Sequence, residues 1–254
     1  MDFNFLLSHF LTLLLVWMRL LGLFLLAPVF NSPLIPVLTR IGLSFLLAIV
    51  LLPSINLSAF TSLDGCYLLA LISEILVGLV LGLLSGLVFS CIQIAGEVID
   101  FQMGFSYANI VDPLSNISSS VMGQFYFLLT IIYYLGIGGY RLTLQGLVRS
   151  FSLIPVGGFK MSLDISTSFV DLMGEVMVVA LELGAPIIAT LFLSNLTLAI
   201  ISRAVPQMNV FIVGLPLNIG LGLFMSLMIL PYFLSYVDEI VNLFLRSFFQ
   251  IFAP

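Results

Sequence analysis

Six apolar stretches dominate this chain, and each is long enough, or nearly long enough, to cross a bilayer. They are Phe5–Phe30, Leu34–Leu52, Tyr67–Ala95, Val121–Gly139, Val170–Ile201 and Val210–Tyr236. A membrane-crossing helix needs roughly 20 mostly apolar residues. Hydrophobic residues make up 61% of the 254, and charged ones only 7%. A soluble domain carries about 25% charged residues, so this chain has too few to cover its own surface. Lipid, or a partner equally apolar, must do so. The sequence therefore predicts an all-α membrane protein that forms one unit, with a short amphipathic tail at Glu239–Phe252. Phe3 to Phe30 has no cationic start and too long an apolar run for a removable signal, so it reads as a retained first segment.

Composition also excludes several functions. The net charge is −5 and the seven cations are dispersed, which argues against nucleic-acid binding. Cys66 and Cys91 lie far apart, with neither disulfide nor metal spacing, and His9 is the single histidine. No GxxxxGK[ST], GxSxG, HExxH or CxxC is present, so no enzyme site, metal or cofactor is expected.

Several apolar stretches are interrupted. Pro28, Pro33 and Pro36 form an early turn, and Pro186 and Pro216 lie inside runs. Backbone groups freed at such points must be satisfied by protein rather than lipid. Two polar connections separate the stretches, Ser106–Ser120 and Tyr140–Ser168, the second carrying Arg141, Arg149 and Lys160.

Three features bear on function. Gly78, Gly82 and Gly86 recur every four residues and share one helix face with Glu74. That spacing predicts a close helix contact, within the chain or with another subunit. Charges stand inside apolar stretches at Arg19, Glu74, Glu97, Asp171, Glu175, Glu182 and Arg203. Each costs about 2.5–3.5 kcal/mol at the centre of a span on insertion scales. One reading is a proton or cation relay; the other, which the sequence favours, is salt bridges between subunits together with side chains that snorkel near the interface, since a relay usually shows a tuned histidine or a carboxylate with a nearby cation in the same span. The third feature is Gln102 to Gln124, which has a single charge, Asp112, followed by Pro113, amid small, hydroxylated or bulky apolar residues. Composition leaves open whether it is a movable buried segment or a solvated connection.

The run Gly96-Glu97-Val98-Ile99-Asp100-Phe101-Gln102-Met103-Gly104, continuing through Phe105-Ser106-Tyr107-Ala108 to Val111-Asp112-Pro113, resembles the central signature of the FliR family of flagellar export-gate proteins. Arg203-Ala204-Val205-Pro206-Gln207-Met208-Asn209-Val210-Phe211, with Gly214 and Pro216, is similar to a second family motif. Arg19, Ala27-Pro28-Val29-Phe30, Pro36 and Arg40 are similar to a third. Tyr140 departs from the pattern, where the family is expected to carry histidine.

The resemblance implies a subunit of a type III protein-export gate in the bacterial inner membrane at the flagellar basal body. Its expected partners are FliP-like, FliQ-like and FlhB-like subunits, membrane lipid and unfolded export cargo. It also implies broken helical hairpins packed in a helical multi-subunit assembly. Within Phe105–Met122 and its root, the implied gate or plug residues are Met103, Gly104, Phe105, Ser106, Tyr107, Ile110, Val111, Asp112, Pro113, Leu114 and Met122. Residues expected at subunit contacts are Glu74, Gly78, Gly82, Gly86, Arg203, Pro206, Gln207, Asn209, Phe211, Gly214 and Pro216. Gln207 and Asn209 are expected to bond to a partner's backbone. The competing reading is a small secondary transporter that couples through Glu175, Glu182 and Arg203, with helices broken at Pro186 and Pro216.

Overall fold

The structure is a computed structural model that describes residues 3–55, 65–105, 120–158 and 163–252. The described residues form seven α-helices: α1 (Phe3–Leu26), α2 (Val37–Leu51), α3 (Gly65–Met103), α4 (Val121–Gly136), α5 (Gly139–Leu153), α6 (Leu163–Ala204) and α7 (Val210–Phe252). A short 3₁₀ turn, Leu52–Ser54, closes α2 at Pro53. Four helices are long and apolar enough to span a membrane, and the α4–α5 pair supplies up to one more. The chain is an all-α membrane protein, with a helix under each of the six predicted apolar stretches.

Two expectations need correction. Tyr140–Ser168 is not simply a polar connection, because α5 occupies much of it. Thr143, Gly146, Leu147, Ser150 and Phe151 are buried, while Arg141, Gln145, Arg149 and Ser152 are exposed. That is a helical period, and the polar outer face hid it in a hydropathy reading. Gly138, at φ +75, is the N-cap of this helix. The second correction concerns Glu239–Phe252, which is not a separate tail but the continuation of α7.

Helices α6 and α7 continue through Pro186, Pro216 and Pro231. Proline removes one intrahelical donor and leaves a carbonyl a turn earlier unpaired. Thr190 Oγ1 donates to the Pro186 carbonyl at 2.8 Å, the ordinary bond of a helical threonine to the carbonyl four residues earlier.

The chain divides into two compact units. The first comprises Met1–Val88, Gly138–Met173 and Asn242–Pro254; the second comprises Phe89–Ile137 and Gly174–Val241. In the first, α1 packs on α3 through glycine. A Cβ on Gly22 would lie 2.6 Å from the Ile75 carbonyl oxygen, and one on Gly82 would lie 2.8 Å from that of Leu23. A Cβ on Gly78 would overlap the Arg19 carbonyl outright. Only glycine lets the backbones come this close. The turn after α1 is held by Arg40, which donates to Asn31 Oδ1 at 2.5 Å and to the Ser32 and Ile35 carbonyls at 2.7 and 3.1 Å. The second unit has an aromatic core: Phe89 meets Tyr134 edge-on at 5.3 Å, and Tyr126 lies 5.0 Å from Phe233.

Candidate functional site

Two polar centres stand out, one in each unit. In the first unit, Arg19 is fully buried and donates four hydrogen bonds. Its Nε and Nη2 donate to Glu74 Oε2 and Oε1 at 2.5 and 3.1 Å, and both side chains are 0% exposed. Nη1 donates to Ser150 Oγ at 3.0 Å, and Nη2 also reaches the Ile154 carbonyl at 3.1 Å. The Phe151 ring lies 4.1 Å from the guanidinium carbon. The Gly157 N–H, on a left-handed turn at φ +74, donates to Glu74 Oε1 at 2.8 Å. A buried ion pair is tolerated when its remaining donors and acceptors are met, and here four of the five guanidinium N–H groups have acceptors. The centre ties α1, α3 and α5 together.

The second centre is the root of the 104–120 segment. Helix α3 ends at Gly104, at φ +93. Its N–H bonds to the Phe101 carbonyl at 3.2 Å, and the Phe105 N–H bonds to that of Asp100 at 3.2 Å. This is a Schellman closure, which requires the left-handed glycine. At the far end Ser120 caps α4, accepting from the Gly123 N–H at 2.8 Å. Asp100, 3% exposed, accepts from the Met122 N–H at 3.0 Å and so joins the two ends. A Cβ on Gly96 would lie 2.6 Å from the Gly123 Cα, so α3 and α4 touch backbone to backbone. Met103 is buried against Gly222 of α7, where an added Cβ would fall 2.5–2.8 Å from its side-chain atoms.

Beside this root lies a cavity of about 560 Å³. Phe101 to Gly104 form one wall, and Asn195, Ser202, Phe211, Gly214 and Asn218 contribute to the other. Asn218 joins α7 to α6, accepting from Ser194 Oγ at 3.0 Å and donating to Asn195 Oδ1 at 2.6 Å. The central motif and the 203–216 motif, far apart in sequence, thus meet around one space.

The other expected site residues fall into three groups. Ser106, Tyr107, Ile110, Val111, Asp112, Pro113 and Leu114 lie outside the described residues. Phe105 is half-buried and Met122 is buried. Glu74, Gly78 and Gly82, expected at a subunit contact, are engaged inside the chain: α1 covers the two glycines, and Arg19 takes the carboxylate. Gly86 is looser, with an added Cβ reaching the Leu26 carbonyl oxygen at 3.6 Å.

Arg203, Pro206, Gln207, Asn209, Phe211 and Pro216 are exposed at the α6–α7 hairpin, and Gly214 is buried, with an added Cβ 3.1 Å from Leu198 Cδ1. Asn209 also has a role within the chain. Its Oδ1 accepts from the Phe211 and Ile212 N–H groups at 3.1 and 3.4 Å, the ordinary role of asparagine before a helix. Sequence reasoning also left Gly22, Gly96, Asp100, Gly123 and Asn218 without roles. Gly96 and Asp100 stood inside the quoted signature, and four-residue spacing from Gly96 to Asp100 to Gly104 was the available signal.

Long apolar helices, a buried ion pair and a glycine-clamped loop root define a polytopic helical membrane protein in which one polar segment is held firmly at both ends. Comparison with known proteins gives its kind. Residues 10–244 match the family described as bacterial export proteins, family 1, and the chain belongs to that family. It is 34% identical to the flagellar biosynthetic protein FliR of Bacillus subtilis (strain 168), over 98% of each chain. It is 26% identical to the protein of the same name from Escherichia coli (strain K12), over 89% of this chain and 86% of the other. It is also 29% identical to the surface presentation of antigens protein SpaR of Shigella flexneri, over 91% of this chain and 93% of the other.

Proposed function

We propose that the chain is a subunit of the flagellar type III protein-export gate, seated in the bacterial inner membrane at the flagellar basal body. Its partners are FliP-like, FliQ-like and FlhB-like subunits, and its cargo is unfolded flagellar protein. One observation carries the multi-subunit part of this reading. The most apolar windows of α6 and α7 are only 33% and 22% buried within the chain. Asp171, Glu175 and Glu182 stand exposed on α6, and among the described residues none of them forms an ion pair. Carboxylates at such positions are costly against lipid. Neighbouring subunits that carry cations would satisfy them.

The plug role of Phe105–Met122 rests on the family resemblance and on the fastened root. A gate must pass chains of any sequence and hold back ions. Small polar, methionine and aromatic side chains make weak, adaptable contacts that suit both demands. The transporter reading is weaker. Glu182 and Arg203 are 21 positions apart on α6, about 30 Å along a helix, too far to form one coupling site.

Purification of the tagged chain in mild detergent tests the subunit reading. FliP-like and FliQ-like proteins are expected to accompany it, whereas a homogeneous single chain that moves a small solute would overturn it. In the assembled gate, deletion of residues 110–114 is expected to raise ion leakage when the gate is held open. Unchanged leakage would remove the plug role and leave the subunit reading standing.

A further inference from the structure

One residue holds both ends of the 106–119 segment. The main-chain carbonyl of Asp100 accepts from the Gly104 and Phe105 N–H groups at 3.1 and 3.2 Å, where the chain leaves α3. The Asp100 side chain accepts from the Met122 N–H at 3.0 Å, where the chain enters α4. The exit and the return therefore meet at a single position.

The second of these bonds is the unusual one. Met122 is the second residue of α4, and the first N–H groups of a helix have no partner within it. Ser120 supplies the local cap, accepting from Gly123. Asp100 supplies another from a different helix, 22 residues upstream. A carboxylate at a helix N-terminus also gains from the helix dipole. That gain matters here, because Asp100 is 3% exposed and no ion pair to it is present among the described residues. An apolar side chain would pack inside α3 without the desolvation that a carboxylate suffers. What Asp100 adds is a directional tie from α3 to the start of α4. The frame around the tie leaves little slack: Gly96 meets Gly123 backbone to backbone, and Met103 seats against Gly222 of α7.

We propose that Asp100 is a positioning residue of the export gate: by clasping both stems it fixes the position that residues 106–119 take as the plug. The inference rests on the plug reading and adds the residue that sets it. The carbonyl half of the clasp survives any substitution, but the side-chain half does not.

The test uses the assembled gate carrying the full chain, with leakage read per gate recovered. D100A removes the acceptor and is expected to raise ion leakage of the gate held open about tenfold, the scale of one hydrogen bond to a charged acceptor. D100N keeps an oxygen for the Met122 N–H and is expected to stay within about twofold of the wild type. If D100A lowers gate recovery, D100S carries the same expectation, because its shorter hydroxyl falls back onto its own helix. F89L loosens the aromatic core of the same unit away from the stems, and is expected to lower the melting temperature without leakage. Because the clasp acts through the segment, D100A is expected to add no leakage to a gate that already lacks residues 110–114. Wild-type leakage from D100A and D100S, leakage from D100N equal to that of D100A, or added leakage in the deleted gate would each overturn the inference. If the deletion leaks and the Asp100 variants do not, the clasp falls and the plug reading stands. If the deletion itself leaves leakage unchanged, both fall.

Discussion

Replacing Arg19 with leucine is expected to lower the stability of the chain by about 3–5 kcal/mol, the usual effect of removing one partner from a buried ion pair. Glu74 would remain fully enclosed, keeping the Gly157 N–H as a donor but losing its cation. Ser150 Oγ and the Ile154 carbonyl would each lose a donor. Thermal melting in detergent, followed by size-exclusion recovery, measures the effect. The double change R19M/E74L is the informative control. It removes both charges and keeps the space filled, so it should regain much of the lost stability. If R19L alone melts with the wild type, the network contributes nothing and its structural reading falls. If the double variant is as unstable as R19L, the hydrogen bonds to Ser150 and Ile154 matter more than the charge balance.

The second large effect is expected from a single methyl group. G78A puts a Cβ onto the Arg19 carbonyl, and that atom is backbone in the middle of α1. It cannot swing aside as a side-chain tip would, so the helices must separate. Overpacking of this kind costs about 1–3 kcal/mol and occasionally more. The separation would also disturb Arg19 itself, whose bonds to Glu74 cross the same contact. G42A is the control, because nothing lies within 4 Å of a Cβ there. In an exposed helix position alanine is favoured over glycine by about 0.5–1 kcal/mol. The two variants should therefore move the melting temperature in opposite directions; equal shifts would mean that α1 and α3 are not in backbone contact.

Much of the fold was legible because hydrophobic runs longer than a bilayer leave few alternatives to helices. The glycine face of α3 was legible for a similar reason, since a period of four leaves a visible mark. Its target was not. Gly22 is a lone glycine in a leucine-rich run, and only the folded chain brings it to Ile75. The Arg19–Glu74 pair was likewise hidden, because 55 residues separate the partners and no local pattern connects them. Asp100 was quoted as part of a motif, yet its acceptance of a backbone N–H 22 residues away leaves no trace in composition. Asn209 is a different kind of omission. Asparagine directly before an apolar run is a known start signal, so its cap of α7 was legible in the sequence.

The buried guanidinium has a consequence for biosynthesis. Its last acceptor, the Ile154 carbonyl, lies 135 residues downstream of Arg19. Until that point has left the ribosome, the first helix carries a cation with no complete set of partners. Releasing it alone into hydrocarbon is unfavourable, so the insertion machinery has reason to retain it. The order of synthesis therefore makes the N-terminal helix one of the last parts of the first unit to reach its final surroundings.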